Sequence, residues 1–167
     1  YPEQTGKYLL PEDSFGRSVP WGLVKGRNGS RKTIILTGHY DVVDTEEYGN
    51  ERALAYDVEK WENLVKSGNA LPGMPEEVKE DFLSGEWMFG RGTADMKGGL
   101  SVGLALLDWY GKLVVEAERK DCGTAAFETK TASGTEETPE ISGNLLFVTV
   151  PDEEGYSAGM RGAVPFL

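Results

Sequence analysis

The sequence has few residues that could cross-link the chain or carry it through a membrane. It contains a single cysteine, Cys122, among 167 residues, so no disulfide can form within the chain, and a reducing compartment is favoured. Its apolar runs, such as 144–150, are far shorter than the ~18 residues that a membrane-spanning helix needs. No basic and apolar signal segment precedes the first elements, and we therefore expect a cytoplasmic location and no membrane partner.

Positive charge is also scarce. The chain has 17 Lys and Arg residues against 28 Asp and Glu residues, a formal net charge of −11. This balance repels phosphate groups and argues against nucleic acid or an anionic membrane as a partner. With 39% hydrophobic and 27% charged residues, the composition is typical of a globular protein, and the length is close to the ~150 residues of one domain.

Hydrophobic patterns predict an α/β fold. The runs Thr33–Thr37 and Asn144–Val150 are nearly continuous and apolar, as expected of strands buried on both faces. The pair Asn28-Gly29 favours a hairpin between the first of these strands and the preceding run Gly22–Lys25. A long helix is predicted at Leu100–Glu118, largely buried because most of its surface is apolar. The order strand, helix, strand is typical of an α/β layer with a parallel sheet.

The remaining segments have weaker patterns. We predict irregular structure over the first twenty residues, which are rich in Pro, Gly and charge. Two short amphipathic helices are predicted at Asp57–Ser67 and Pro75–Leu83. The segment Arg119–Ser142 is rich in Thr, Ser, Glu and Gly, and we predict that it is a mobile surface insertion.

Histidine and acidic residues follow strands or glycines at three points. His39 and Asp41 follow the first buried strand, Glu153 and Glu154 follow the second, and Asp95 lies in a glycine-rich loop before the long helix. Ligand sites of α/β sheets form at the carboxyl ends of strands, so we expect one shared crevice. Carboxylates packed together need a cation or shared protons. Imidazole with carboxylates is a ligand set that suits Zn²⁺ and related divalent metals.

Each cluster alone also has an ordinary structural interpretation. A His-x-Asp sequence after a strand is usually a hydrogen-bonded turn, an Asp before a helix is commonly its N-cap, and most acidic runs are solvated turns. A calcium- or magnesium-binding acidic protein is a further alternative, but those cations prefer oxygen ligands and His39 speaks against them.

Three segments resemble, in order, the N-terminal motifs of one enzyme family. They are 37–43 (TGHYDVV), 90–99 (GRGTADMKGG) and 151–155 (PDEEG). The family is that of the di-zinc amidohydrolases and metallopeptidases, which includes acetylornithine deacetylase, succinyl-diaminopimelate desuccinylase, aminoacylase and glutamate carboxypeptidase. The long acidic insert between the first two motifs is most similar to the arginine-utilisation branch. The resemblance covers roughly residues 21–162, apart from the predicted insertion.

The resemblance implies a centre of two Zn²⁺ ions, or Co²⁺ or Mn²⁺ in their place. His39 would bind one ion, Asp95 would bridge both, and Glu154 would bind the other. Asp41 would orient His39. Glu153 would be the general base that takes a proton from water and returns it to the leaving amine.

The resemblance also implies an activity and a domain organisation. The activity is hydrolysis of an amide or peptide bond in a small N-acyl amino acid or short peptide. Residues 1–167 would be the N-terminal part of a three-layer, zinc-peptidase-like α/β catalytic domain with a mostly parallel central sheet. The C-terminal half, with further metal ligands, and a dimerisation domain that could form a homodimer would lie beyond Leu167, so this chain alone would be inactive. The alternative is a non-catalytic or incomplete relative that acts as a binding or regulatory module.

Overall fold

The computed structural model describes residues 4–27, 29–68, 73–121 and 142–167. Within them, three strands are followed by three helices, a fourth strand and a short fourth helix. A 3₁₀ stretch at Glu46–Leu54 precedes the first helix, and an irregular turn at Thr93–Gly98 precedes the third. The α/β class expected from the sequence is confirmed. In chain order the strands and helices are β1 (Thr5–Leu9), β2 (Ser18–Val24), β3 (Thr33–His39), α1 (Val58–Lys66), α2 (Glu76–Ser84), α3 (Gly99–Asp121), β4 (Asn144–Val150) and α4 (Ala158–Ala163).

The four strands form one mixed sheet in the order β1-β2-β4-β3. β4 runs parallel to β3 and antiparallel to β2, and β1 runs antiparallel to β2. In the described part of the chain the sheet is therefore mixed rather than mostly parallel. The parallel pair is the one whose connection includes α3, because parallel strands need a long crossover.

The hairpin predicted between β2 and β3 is wrong, because β4 lies between these strands. Leu146 of β4 is paired with Leu23 on one side and with Ile35 on the other. A continuous apolar strand is stable where both its neighbours are strands. This long-range pairing outweighs the local turn signal of the Asn-Gly pair.

The irregular structure predicted for the first twenty residues is also wrong in part. β1 and the beginning of β2 lie within them, and Tyr8 is paired with the fully buried Val19. The residues of β1 are mostly exposed, so its own sequence carries little strand signal. Pairing with β2 stabilises it instead.

The two short helices predicted before the glycine-rich loop are confirmed as α1 and α2. The Asp57 side chain caps α1 by accepting a hydrogen bond from the Lys60 amide at 3.0 Å. The two helices share a hydrophobic cluster built on the buried side chains of Trp61, Val65 and Phe82. This cluster is distinct from the core of the sheet, which is centred on Val19 and Val148.

The long helix α3 is present, and it packs on the sheet through glycines. A Cβ added at Gly103 would lie 2.4 Å from the Phe147 ring, and one added at Gly38 would lie 2.7 Å from the Met96 side chain. The first contact brings α3 close to β4. The second lets the turn before α3 approach the end of β3, where His39 lies.

The prediction that α3 is largely buried is wrong. Val102, Leu106 and Trp109 on its outer face are exposed. A helix that is apolar all round is buried when it has neighbours on both sides, and the described residues place the sheet on one side only. Among these described helices, none is long and apolar enough to cross a membrane.

The insertion predicted at Arg119–Ser142 is largely untested. Its first three residues continue α3 to Asp121, so the helix is longer than predicted. Residues 122–141 lie outside the described part of the chain, and their mobility stays a prediction.

Candidate metal centre

The candidate site lies at the carboxyl ends of the two parallel strands. His39, the last residue of β3, is paired with Val150, the last residue of β4. The Tyr40 amide continues the pairing by donating to the Val150 carbonyl at 3.0 Å. The residues that directly follow β3 and β4, including Asp41 and Glu153, are therefore held at the same edge of the sheet.

The structure brings His39, Asp95 and Glu154 together, as the sequence predicts. One ligand atom from each of the three lies within 4.8 Å of the others, although the residues are 56 and 59 positions apart in the chain (95 − 39 and 154 − 95). His39 is 5% exposed, whereas the Asp95 side chain is 76% exposed. One imidazole nitrogen and two carboxylate oxygens form a donor set of the kind that binds a divalent ion.

Both ring nitrogens of His39 contact oxygen acceptors. Nδ1 lies 3.1 Å from the Asp41 carbonyl oxygen, and Nε2 lies 2.9 Å from Asp95 Oδ1. A carbonyl and a carboxylate can only accept, so Nδ1 can donate to the Asp41 carbonyl, and Nε2 can donate to Asp95 when it carries a proton. A metal ion at Nε2 would replace the proton there, because a ligating histidine must be neutral.

The surroundings of His39 favour this proton. Burial alone would lower the pKa of His39, but the hydrogen bonds to Asp95 and to the Asp41 carbonyl, with the charges of Glu153 and Asp41, outweigh it. The pKa of His39 is therefore raised above its ordinary value of 6.5. The same negative charges would attract a metal cation.

The two adjacent glutamates take different positions. Glu154 is part of the three-residue cluster, while Glu153 Oε2 lies 3.7 Å from His39 Nε2 on a side chain that is 54% exposed. Glu153 thus lies at the open rim of the site. This arrangement allows one carboxylate to ligate while the other meets solvent.

Asp41 contacts the site in two ways. Its backbone carbonyl accepts from the His39 ring, while its carboxylate is 3.6 Å from Nδ1. The carboxylate oxygens accept hydrogen bonds from the backbone amides of Glu153 at 3.2 Å and Glu154 at 3.1 Å. Asp41 was predicted to orient His39, and the hydrogen bond to the His39 ring comes from the Asp41 main chain. The Asp41 carboxylate instead holds the turn that carries Glu153 and Glu154 near the end of β3.

A set of ion pairs next to the glutamates was not expected from the sequence. Arg17 Nη1 donates to Asp152 Oδ1 at 2.8 Å, and Arg17 also contacts Asp13. Asp152 adjoins Glu153 and could have been singled out for that reason. Nothing near Arg17 in the sequence indicates a partner 135 positions away.

The glycine-rich loop that carries Asp95 is anchored by Arg91. The Arg91 side chain donates to Glu47 and lies over the Tyr48 ring, both in the 3₁₀ stretch. Its backbone amide donates to the Ala55 carbonyl at 2.6 Å. The segment between the first two motifs therefore helps to hold the loop.

The chain is similar to two proteins of Bacillus subtilis (strain 168). It is 39% identical to the uncharacterized protein YqjN over 160 residues, which are 95% of this chain and 24% of YqjN. It is 29% identical to protein RocB over 166 residues, which are 99% of this chain and 24% of RocB. No family model matches the chain, and no solved structure matches it. The chain thus spans about a quarter of the length of the curated relatives that it matches.

Proposed function

We propose that this chain forms part of a zinc-dependent hydrolase that cleaves an amide or peptide bond in a small N-acyl amino acid or short peptide. The observation that carries the proposal is the convergence of His39, Asp95 and Glu154 within 4.8 Å. One imidazole with two carboxylates suits Zn²⁺ better than Ca²⁺ or Mg²⁺. The substrate class rests on the resemblance of the three motifs to the di-zinc family, and the arginine-utilisation branch stays a prediction.

The residues present fit a metal ion. His39 Nε2, Asp95 and Glu154 would hold it, and the Asp95 side chain is more exposed than those of Asp41 and Glu153. Bound Zn²⁺ lowers the pKa of water and polarises a carbonyl oxygen. A second ion, which Asp95 would also help to hold, would need further ligands, and we propose that these lie in a region that corresponds to the unmatched part of the longer relatives.

Glu153 has the properties of a general base. Its carboxylate lies 3.7 Å from His39 Nε2 and is more than half exposed, so water and a substrate amide can reach it. It would accept a proton from the attacking water and return it to the leaving amine. The turn held by Asp41 keeps this carboxylate at the rim of the site.

Zinc titration of the 167-residue chain by calorimetry tests the metal site. His39→Ala and Asp95→Asn should each weaken Zn²⁺ binding at least about tenfold, because each removes a donor. Glu80→Gln, which removes an exposed charge on α2, is the matched control and should leave the affinity unchanged within about twofold. Excess Ca²⁺ should not displace Zn²⁺. Unchanged zinc affinity in both site variants would refute the metal site.

A further inference from the structure

Three charged side chains form a cluster next to the turn that carries Glu153 and Glu154. We call this turn, residues 151–159, the glutamate turn. Arg17 donates from Nε and Nη2 to Asp13 Oδ1 at 3.0 and 2.7 Å, and from Nη1 to Asp152 Oδ1 at 2.8 Å. The side chains of Arg17, Asp13 and Asp152 are 27%, 7% and 17% exposed. The guanidinium thus joins the connection between β1 and β2 to the turn that follows β4.

Asp13 fixes the direction in which the guanidinium points. Besides the two side-chain contacts, Asp13 Oδ2 accepts from the Arg17 backbone amide at 2.6 Å, and the Asp13 carbonyl accepts from the Gly16 amide at 3.0 Å. The local turn therefore holds Arg17 by both its main chain and its side chain. A planar guanidinium can bind two carboxylates at once, which a lysine ammonium on a flexible stem does less well.

Asp152 organises the glutamate turn. Its Oδ2 accepts from the backbone amides of Tyr156 at 3.2 Å and Ala158 at 3.0 Å, and its carbonyl accepts from the Ser157 amide at 2.6 Å. Its φ of +66° lies in the left-handed region that non-glycine residues rarely adopt. The contacts of the Asp152 side chain hold this conformation, and they leave its Oδ1 for Arg17.

The main chain of the two glutamates is consequently held from two sides. On one side, the Asp41 carboxylate accepts from the amides of Glu153 and Glu154. On the other, Asp152 is the residue before Glu153, and Arg17 binds it. Asp41 connects the turn to β3, and Arg17 connects it to the loop before β2.

We infer that Arg17 is a positioning residue of the candidate metal centre, acting through Asp152 on the turn that places Glu153 and Glu154. The inference rests on the proposed function, because the centre is the metal site proposed above. It adds a residue from the N-terminal loop, with no contact to the ligand atoms, to the parts that set the geometry of the site.

The test compares Arg17→Ala and Arg17→Lys with Arg31→Ala, an exposed arginine between β2 and β3, in the 167-residue chain. Zinc affinity is measured by calorimetry, amide hydrogen exchange by NMR and stability by urea unfolding. Arg17→Ala should weaken zinc binding about tenfold and accelerate exchange at the Tyr156 and Ala158 amides. Arg17→Lys should retain part of the zinc affinity and part of the protection of these amides. Arg31→Ala should change neither the zinc affinity nor the exchange rates.

Two results would overturn the inference. One is a folded Arg17→Ala chain with lower stability but with native zinc affinity and native exchange at Tyr156 and Ala158, since Arg17 would then be merely structural. The second result applies if Arg17→Ala does not fold. It is an Arg17→Lys chain with native zinc affinity and native amide exchange at Tyr156 and Ala158. Failure of the native chain to bind zinc would refute the proposed function instead, and the exchange rates would still decide whether Arg17 holds the turn.

Discussion

His39 combines burial with two hydrogen-bonded ring nitrogens. The Asp41 carbonyl accepts from Nδ1, so Nε2 is the nitrogen that faces Asp95 and would ligate a metal. Such a contact on the far side of the ring fixes the tautomer and the orientation of a ligating histidine. The Asp41 carboxylate is then available to hold the amides of Glu153 and Glu154. Asp41 thus contacts both the candidate ligand at the end of β3, His39, and the main chain of the candidate ligand that follows β4, Glu154.

Asp13 makes the stability of the fold depend on pH. Hydrogen bonds from the side chain and backbone of Arg17 hold the pKa of Asp13 below its ordinary value of 3.8. A carboxyl group with a lowered pKa stabilises the folded chain above its ordinary pKa, and this contribution is lost as the pH falls through the lowered value. The difference in unfolding free energy between the native chain and Asp13→Asn should be constant above about pH 5 and shrink below about pH 4.

Urea unfolding at a series of pH values measures this difference. Arg17→Ala removes the partner of Asp13, so its stability should converge with that of the native chain in the same acidic range. A difference that instead widens as the pH falls would show that the Arg17 contacts do not stabilise the ionised form of Asp13.

At the scale of elements, the sequence predicts the helices and strands that are specified by residues close together in the chain. The helices α1 and α2 follow from their amphipathic pattern, and the cap residue Asp57 marks the beginning of α1. The strands β3 and β4 follow from their apolar runs, and the motifs after them indicate the site. These signals are local, and each lies within a few residues of the element that it specifies.

Features that depend on distant residues were not predictable in this way. β4 separates β2 from β3 because of pairings across more than 100 residues, such as Leu23 with Leu146. The Arg17 contact to Asp152 likewise spans 135 positions. The burial of α3 was overestimated, because its apolar residues indicate what the helix can bury and not which neighbours cover it.

Two glycines of α3 should respond oppositely to the same substitution. A Cβ at Gly103 would lie 2.4 Å from the buried Phe147 ring, whereas one at Gly111 would lie 3.6 Å from Val24. Gly103→Ala should therefore lower the unfolding free energy by about 1–3 kcal/mol through overpacking. Gly111→Ala should raise it by up to about 1 kcal/mol, because alanine favours a helix interior over glycine.

Urea unfolding of the two variants side by side provides the measurement, and each variant is the control for the other. If Gly103→Ala stabilises the chain as much as Gly111→Ala does, α3 does not pack against β4 as closely as the structure indicates.

At the scale of the whole molecule, apolar surface lies on elements next to the site. β3 is at one end of the strand order, and its Ile34 and Ile35 are exposed, as are Val102 and Trp109 on the outer face of α3.

The relatives YqjN and RocB are each about four times as long as the segment that matches this chain, since the matched segment is 24% of each. We propose that further ligands and substrate contacts belong to that remainder.

The 167-residue chain should therefore bind about one Zn²⁺, and hydrolyse no N-acyl amino acid or dipeptide measurably. The cluster supplies three donor residues, which suffice for one open site but not for a pair of ions. Calorimetry with elemental analysis gives the stoichiometry, and amine release from a substrate panel gives the rate. Two tightly bound Zn²⁺ ions, or activity that survives repurification and is lost with a chelator, would contradict this.

Glu153 and Glu154 are chemically identical neighbours, but we expect them to have different roles. Glu154 belongs to the cluster with His39 and Asp95, so it should ligate the ion. Glu153 lies at the rim, with its side chain 54% exposed, so it should exchange a proton with water. The roles of ligand and base predict different consequences for the same Glu→Gln substitution.

Calorimetric zinc affinities of Glu154→Gln and Glu153→Gln, measured on the same chain, distinguish the ligand from the base. Glu154→Gln should bind zinc at least about tenfold more weakly than the native chain, because a neutral amide is a poorer donor than a carboxylate. Glu153→Gln should bind it within about threefold of the native affinity, because its carboxylate serves the proton and not the ion. Equal affinities in the two variants, or the larger loss in Glu153→Gln, would contradict the assignment.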